Sequence, residues 1–136
     1  MTKPKIMGIE ELVWDLLPGG RQLGGAPVNF AYWCSRLGAE GYPVSAAGND
    51  NLGQEAFEQL AGTGIDLSYM QRNALPTGRV NVTLSGKGIP EYDIVEGVAW
   101  DALEADAETL GLATQADAVC WGSLAQRSEV SRKAIA

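Results

Sequence analysis

The sequence contains no histidine, only two cysteines and few basic residues, and each shortage excludes a class of function. Without histidine, a Ser–His–Asp triad, a histidine general base and every histidine-containing zinc site are ruled out. Any acid–base chemistry must therefore use carboxylates. The Lys and Arg residues are scattered and the net charge is −7, so the chain lacks the basic patch of a nucleic-acid-binding protein.

Long apolar runs are also missing. No stretch approaches the roughly 18 consecutive apolar residues of a membrane span, and the apolar run near the N-terminus is too short for a signal peptide. Cys34 and Cys120 lie far apart in apolar segments, which predicts two buried, reduced thiols rather than a disulfide. We therefore expect a cytoplasmic protein with neither a membrane nor a nucleic acid as partner.

The composition that is present fits a packed core. A chain of 136 residues with 46% hydrophobic residues can bury one core, so it forms one domain or a piece of a larger one. Strand-like and helix-like patterns alternate along the chain, which predicts an α/β layer structure. Apolar strands are expected at residues 12–17, 44–48 and 118–121.

The first predicted helix begins at a proline and ends at a glycine, as helices commonly do. Pro27 is placed at its start and Gly38 after its end. Four apolar residues recur with helical spacing and predict its buried face: Phe30, Trp33, Cys34 and Leu37.

Three further helices are predicted from their capping residues. Residues 49–51 can cap a helix that ends at Gly62. Asp101 and Glu104 resemble a capping box, and the helix that they open is predicted to end at Gly111. The last helix begins at Ser128.

The region 79–96 has a different pattern. Val80, Val82 and Leu84 alternate with polar residues, as in a sheet with one solvent-exposed face, and residues 86–88 supply a turn. We expect a hairpin there, outside the main sheet.

Polar residues and glycines near the first helix form a candidate binding site. Residues 19–25 are glycine-rich, but they have neither the ending of a P-loop nor the spacing of a dinucleotide fingerprint. Asp15, Gly24, Gly25 and Asn29 could gather a carboxylate, backbone amides and a carboxamide around a polyol. Alternatively, these polar residues only serve the start of the helix, where capping groups are common.

Several stretches resemble one family. Residues 24–31, Gly-Gly-Ala-Pro-Val-Asn-Phe-Ala, together with Gly38 and Gly48, resemble the N-terminal signature of the PfkB carbohydrate kinases. Residues 11–20 resemble that family's opening strand, and residues 48–53 its Gly-x-Asp-x-x-Gly turn. Residues 76–80, 99–101 and 122–127 are similar to the fructokinase-like branch.

The resemblance implies a ribokinase-like fold, of which residues 1–136 would be the N-terminal part. That part has a parallel-sheet αβα layer structure and a small β-sheet lid, with lid strands at about 11–23 and 79–96. The implied reaction is phosphoryl transfer from ATP with Mg²⁺ to a sugar hydroxyl, with fructose as the leading candidate. The lid could also form a homodimer.

Residue by residue, the resemblance implies that Asp15 accepts hydrogen bonds from sugar hydroxyls and that Gly24, Gly25 and Asn29 line the same pocket. Four side chains of the lid region are weaker substrate-binding candidates that could face the sugar: Arg79, Asn81, Tyr92 and Trp100.

Two features depart from the family. Glu10 stands where the family usually has glycine, so we expect a less free backbone at the entrance to the pocket. The Gly-Ala-Gly-Asp motif that supplies the catalytic base has no counterpart, and the ATP-binding part is absent, so no catalytic or metal-binding residue is expected. Residues 46–50 match the early turn instead, and we expect Asp50 to be a helix cap rather than a base.

Three hypotheses therefore remain open. The chain is the sugar-binding half of a kinase, or it is a truncated, catalytically inactive sugar-binding or dimerisation fragment. A nucleotide-binding α/β domain of another kind survives only if the signature is ignored. The identity of the sugar, the oligomeric state and the extent of the native chain beyond Ala136 are left undecided by the sequence.

Overall fold

The structure, a computed structural model, describes residues 2–136. Within this range the strands are β1 Lys5–Ile9, β2 Val13–Leu17, β3 Gly20–Gly24, β4 Glu40–Val44, β5 Ala46–Gly48, β6 Gln71–Asn73, β7 Arg79–Leu84, β8 Pro90–Ile94 and β9 Ala118–Trp121. The α-helices are α1 Ala26–Arg36, α2 Asn51–Ala61, α3 Ala107–Gln115 and α4 Glu129–Ile135, and two short 3-10 helices span Ala99–Ala102 and Ala125–Arg127.

The main sheet is parallel and has the order β4-β1-β9. Ala31 of α1 packs over one face of β1, and α3 lies on the opposite face beside Met7 and Ile9. The predicted α/β layer structure is therefore confirmed. Since α1 begins near the carboxyl end of β1, residues at its N-terminus lie at the sheet edge where ligands commonly bind in α/β folds.

A second sheet of order β3-β2-β7-β8 stands apart from the main sheet, and we call it the lid sheet. β7 and β8 form the hairpin expected at residues 79–96, with a turn at 86–87. β2 pairs parallel to β7, so Asp15 lies opposite Val80 and Leu16 opposite Asn81. Because side chains alternate along a strand, these two pairs occupy opposite faces of the lid sheet.

The strand predicted at 44–48 is present but divided between two sheets. β4 belongs to the main sheet and ends at Val44, whereas β5 pairs parallel with β6. Ser45, between them, is fully buried and passes the chain from one sheet to the other. The short strand β6 carries no apolar pattern, which explains why it was not predicted.

The predicted buried face of α1 is wrong. Phe30, Trp33 and Leu37 are 39%, 61% and 86% exposed, and the helix instead buries Val28 and Ala31. Both sets of residues have helical spacing, but only the smaller side chains let the helix lie close to the sheet. The helix begins at Ala26, one residue before the predicted Pro27, and ends at Arg36, shortly before the predicted stop at Gly38.

The helix predicted to begin at Asp101 begins later. Asp106 caps α3 by accepting a hydrogen bond from the Thr109 amide at 2.7 Å, and the helix continues past Gly111. Asp101 forms a two-pronged ion pair with Arg127, at 2.8 Å for both contacts, so its carboxylate is not available to cap α3. α4 follows Ser128 as expected.

β9 forms as predicted but is largely exposed, because it is an edge strand of the main sheet in this chain. Cys120 on β9 and Cys34 on α1 are free thiols, in agreement with the prediction of no disulfide, although both are half-buried rather than buried. Among residues 2–136, no helix combines the length and the apolar character needed to cross a membrane.

Candidate functional site

Asp15 lies in the middle of β2, on one face of the lid sheet. Its neighbours on that face are Gln22 of β3 and Val80 of β7. The residue is half-buried, and its carboxylate accepts no hydrogen bond from residues 2–136. A carboxylate that is partly removed from water without protein donors is available to hydroxyl groups of a ligand.

The turn between β3 and α1 lies beside this carboxylate. A Cβ placed on Gly24 would be 3.5 Å from Oδ2 of Asp15, so the backbone of residue 24 closely approaches the carboxylate. Gly25 has φ of 124°, and any Cβ there would collide with the carbonyl oxygen of Glu11. Glycine is thus required at position 25 for the chain to enter α1 at this point.

Asn29 lies in the first turn of α1, and its backbone amide donates to the carbonyl of Gly25 at 3.0 Å. Its side chain is exposed. Asn29 and Gly24 also line a cavity of about 150 Å³ between α1 and α2. Asp15 does not line this cavity. Gly24 borders both the cavity and the Asp15 carboxylate, so Asp15 and Asn29 are neighbours of the same glycine but do not share one enclosed pocket.

The weaker candidates are not grouped together. Arg79 and Asn81 occupy the lid face opposite to Asp15, as their pairing with Trp14 and Leu16 shows. Trp100 is fully buried in the core under the guanidinium of Arg127, so it has no surface for a ligand. Arg79, Asn81 and Trp100 therefore do not lie at the same site as Asp15.

Tyr92 is the one weaker candidate on the Asp15 face. Tyr92 lies on β8, opposite Val82 of β7, and its side chain is exposed. It is separated from Asp15 by one intervening strand, so it could reach a ligand only from the outer part of the lid sheet.

Asp50 is a helix cap, in agreement with the prediction. Its Oδ1 accepts hydrogen bonds from the Gly53 amide at 2.8 Å and from the Thr77 hydroxyl at 2.6 Å, and its Oδ2 accepts one from the Thr77 amide at 2.8 Å. Burial alone would raise the pKa of Asp50, but these hydrogen bonds and the charge of Arg72 outweigh it and lower the pKa. A carboxylate so occupied is a poor base.

The sequence interpretation missed a buried carboxyl pair. It treated Glu10 only as a change of backbone freedom, whereas the side chains of Glu10 and Glu11 are both buried at the end of β1. Two consecutive glutamates in an apolar stretch were the available signal.

The described residues do not fit ATP or Mg²⁺. Phosphate groups are often held by free amides at a helix N-terminus, but here one first-turn amide of each of α1, α2 and α3 already donates to a side chain, namely Glu11, Asp50 and Asp106 respectively. Residues 2–136 also contain no cluster of three or more metal-ligating side chains. Nucleotide and metal would need groups that this part of the chain does not offer.

Comparison with known proteins agrees with this arrangement. The sequence model of the pfkB family carbohydrate kinases matches residues 18–134. The chain belongs to this family. It resembles other PfkB sugar kinases over most of its own length, so the resemblance seen in the sequence motifs is confirmed.

Two relatives indicate the range of substrates among similar proteins. The fructokinase of Klebsiella pneumoniae is 37% identical over 90 residues, which cover 62% of this chain and 29% of the fructokinase. The fructoselysine 6-kinase of Escherichia coli is 29% identical over 101 residues, which cover 73% of this chain and 39% of the relative.

The fold is also similar to that of a sugar kinase of known structure. The crystal structure of a sugar kinase of Pyrococcus horikoshii, PH1459, in complex with ATP superimposes with a TM-score of 0.80 and 25% identity over 96% of this chain and 46% of PH1459. The predicted ribokinase-like fold is thereby confirmed. This PfkB chain spans less than half the length of each of these three relatives.

Proposed function

We propose that this chain supplies the sugar-binding half of a carbohydrate kinase that transfers the γ-phosphoryl group of MgATP to a hydroxyl of fructose or a similar ketose. The observation that carries the proposal is the carboxylate of Asp15, which lies beside Gly24 and accepts no hydrogen bond from the described residues. Such a group can bind hydroxyls without first breaking a protein contact.

The groups around Asp15 suit a polyol. Asp15 would accept hydrogen bonds from two hydroxyls, Gly24 and Gly25 would allow the sugar to approach the backbone, and the carboxamide of Asn29 can both donate and accept. A fructose skeleton is common to the substrates named for the fructokinase and the fructoselysine 6-kinase, which favours a ketohexose as the acceptor.

The lid sheet would cover the bound sugar. Its Asp15 face carries four exposed apolar side chains, namely Leu17, Leu84, Tyr92 and Ile94. Closure of this face over the site would exclude water, which otherwise competes as phosphoryl acceptor. The same apolar surface and the free edges of β3 and β8 support a homodimer in which two lids pair.

A second function is favoured by the missing base motif. Because the Gly-Ala-Gly-Asp motif of the family has no counterpart in this sequence, the 136-residue chain alone would be an inactive sugar-binding or dimerisation fragment. We also propose that the kinase acts in the cytoplasm, where the ATP-dependent reaction would take place.

The test is ATP-dependent phosphorylation of a panel of sugars, with fructose first, by the 136-residue chain and by a protein extended past Ala136. We expect fructose phosphorylation only in the extended protein, and its loss in Asp15→Asn but not in Asp93→Asn. Asp93 is a matched control because it lies on the opposite lid face, where it accepts a hydrogen bond from Asn81.

The other outcomes are equally informative. Turnover by the 136-residue chain would refute the claim that its residues lack a base and an ATP site. Absence of turnover in both proteins, with fructose still bound, would favour the inactive fragment.

A further inference from the structure

Two carboxyl groups are buried side by side where β1 ends. Glu10 is 2% exposed and Glu11 is 7% exposed. Their side chains lie within hydrogen-bonding reach of each other. Two ionised carboxylates in such a position would repel each other and would both lack the hydration that they have in water, so full ionisation of the pair is unfavourable.

Glu10 is fixed to the segment that follows β9. Its Oε1 accepts a hydrogen bond from the amide of Ala125 at 2.6 Å. Its Oε2 lies so close to Gly122 that any side chain at position 122 would collide with it. The backbone amide of Glu10 donates to the carbonyl of Val44 at 3.2 Å, so the residue cannot turn outward without breaking contacts on two sides.

Glu11 is fixed to the start of α1. Its Oε1 accepts a hydrogen bond from the amide of Ala26 at 3.1 Å. Its Oε2 is buried and has no partner among residues 2–136. A buried carboxylate oxygen without a donor is costly, and the group within reach that can become a donor is the carboxyl of Glu10.

We propose that Glu10 and Glu11 share one proton, which Glu10 carries and donates to Oε2 of Glu11, and that this acid pair joins the start of α1 to the segment after β9. The proton gives the unpartnered oxygen a donor and reduces the pair to a single negative charge. Both consequences follow from the burial of the two carboxyl groups and from the unpartnered Oε2 of Glu11.

The pair would position the proposed sugar site. Glu11 contacts the first amide of α1, and its carbonyl lies under Gly25, so movement of Glu11 moves the turn that carries Gly24 and Asn29. The inference therefore rests on the proposed function for its effect on the sugar, although the proton sharing itself does not. Glu10 and Glu11 are positioning residues in this scheme, not catalytic ones.

The electrostatics agree with this assignment. Burial raises the pKa of Glu10, and the charge and hydrogen bond of Glu11 add to the rise, whereas the backbone amides of Ala125 and Gly122 oppose it without cancelling it. The titratable groups that face the pair from neighbouring elements are Cys120 of β9 and, beyond it, Cys34 of α1. Burial raises the pKa of Cys120, and the nearby acidic groups raise it further, so this thiol stays neutral.

The sign of the pH effect follows. A carboxyl whose pKa is higher in the folded than in the unfolded protein lowers the free energy of unfolding as pH rises through the interval between the two values. Above the raised pKa of Glu10 the shared proton is lost, the two charges repel, and the start of α1 is held less firmly. Stability and sugar affinity should therefore both decline as pH rises above the ordinary glutamate pKa of about 4.3 and through the raised pKa of Glu10.

The direct test is a titration of side-chain carboxyl ¹³C resonances in glutamate-labelled protein. We expect one glutamic acid to remain protonated well above the ordinary pKa of about 4.3, and its signal to be missing from Glu10→Gln. Glu104→Gln is the matched control, because Glu104 is exposed and its removal should leave the signal unchanged. Glu10→Gly removes the same carboxyl if Glu10→Gln does not fold.

Two results would overturn the proposal. One is an ordinary acidic titration of every glutamate. The other is a pair that is fully ionised at neutral pH and whose resonances respond to added K⁺ or Na⁺, which would make the pair a cation site instead.

A second measurement tests the positioning role through the thermal midpoint and the fructose affinity between about pH 5 and pH 9. We expect both to fall as pH rises in the wild-type chain, with a several-fold loss of affinity, and to be flat in Glu10→Gln. An unchanged slope in Glu10→Gln would refute the role. Failure of the wild-type chain to bind fructose at any pH would count against the proposed function alone, because the carboxyl titration and the thermal midpoint need no sugar.

Discussion

Two glycine-rich turns lead into helices, and each has an aspartate beside it. At the turn before α2, the oxygens of Asp50 accept three hydrogen bonds, from the amide of Gly53 and from the amide and hydroxyl of Thr77. At the turn before α1, the carboxylate of Asp15 lies beside Gly24 but accepts none from residues 2–136. The amide that begins α1 donates to Glu11 instead.

The difference shows how the same residue type serves two purposes. Asp50 stabilises the fold, since its hydrogen bonds connect α2 to the segment before β7. Asp15 makes no such contact within residues 2–136, so its half-buried carboxylate is open to a ligand. Hydrogen-bond occupancy, rather than residue type or proximity to glycine, therefore distinguishes the cap from the candidate ligand.

The largest expected effect concerns Asp50. Asp50→Ala removes three hydrogen bonds and leaves the amide of Thr77 unpaired, so we expect the free energy of unfolding to fall by about 4 kcal/mol. Urea denaturation of the 136-residue chain measures this value. Asp15→Ala, the matched variant, should change it by less than about 0.5 kcal/mol. Equal losses of unfolding free energy in the two variants would mean that Asp15 stabilises the fold as much as Asp50 does.

The next effect concerns the turn before α1. Gly25→Ala forces a Cβ into the carbonyl of Glu11 at a φ of 124°, so we expect a loss of about 2–3 kcal/mol in the free energy of unfolding. The same denaturation experiment measures it. A loss below about 0.5 kcal/mol would mean that the turn relaxes and that position 25 does not require glycine.

Asp15→Asn should affect binding rather than stability. Loss of hydrogen bonds to a charged acceptor is worth about 1.5–3 kcal/mol, so we expect fructose affinity to fall about 10- to 100-fold. Calorimetry on the 136-residue chain, or the KM of the extended kinase, measures this change. Unchanged affinity, with Asp93→Asn also unchanged, would remove Asp15 from the site.

Acid pH should reveal the occupied aspartate. The pKa of Asp50 is lower in the folded chain than the usual value, so the stability that it contributes is present above the unfolded-state pKa and is lost as pH falls through the folded-state pKa. We expect the thermal midpoint to fall below about pH 4, and to fall less steeply in Asp50→Asn. Parallel slopes in the two proteins would contradict this origin of the acid sensitivity.

Much of this comparison could be anticipated from the sequence. The glycines, the capping pattern at residues 49–51 and the alternation at residues 79–84 are local signals, and they predicted the two turns and the lid hairpin. The motif resemblance also indicated that Asp50 is a cap, which the structure confirms, and that Asp15 binds the sugar, which stays a prediction.

Two features of the helices could not be predicted from the sequence. The local sequence allowed two equally good choices for each, and contacts with residues distant in the chain decide between them. α1 has two apolar stripes with the same spacing, and only the approach of the sheet decides that Ala31 is buried and Trp33 is not. Asp101 and Asp106 both precede a helix-like stretch, but Arg127 pairs with Asp101, so Asp106 becomes the cap.

The burial of Glu10 is a stronger example. It depends on Gly122 and on the amide of Ala125, which are more than a hundred residues away in the chain. No local pattern around residue 10 contains that information.

The smallest effect would test how closely the turn before α1 and Asp15 are linked. Gly24→Ala places a methyl group 3.5 Å from Oδ2 of Asp15, an ordinary van der Waals distance, and position 24 is not in the left-handed region. We therefore expect no loss of stability, in contrast to Gly25→Ala. The methyl group would nevertheless cover part of the carboxylate and weaken fructose binding about threefold, or about 0.6 kcal/mol. Calorimetry measures this difference against Gly19→Ala, a control at an exposed position where a Cβ meets no neighbour. Equal affinities in the two variants would mean that the sugar approaches Asp15 from a side that Gly24 does not border.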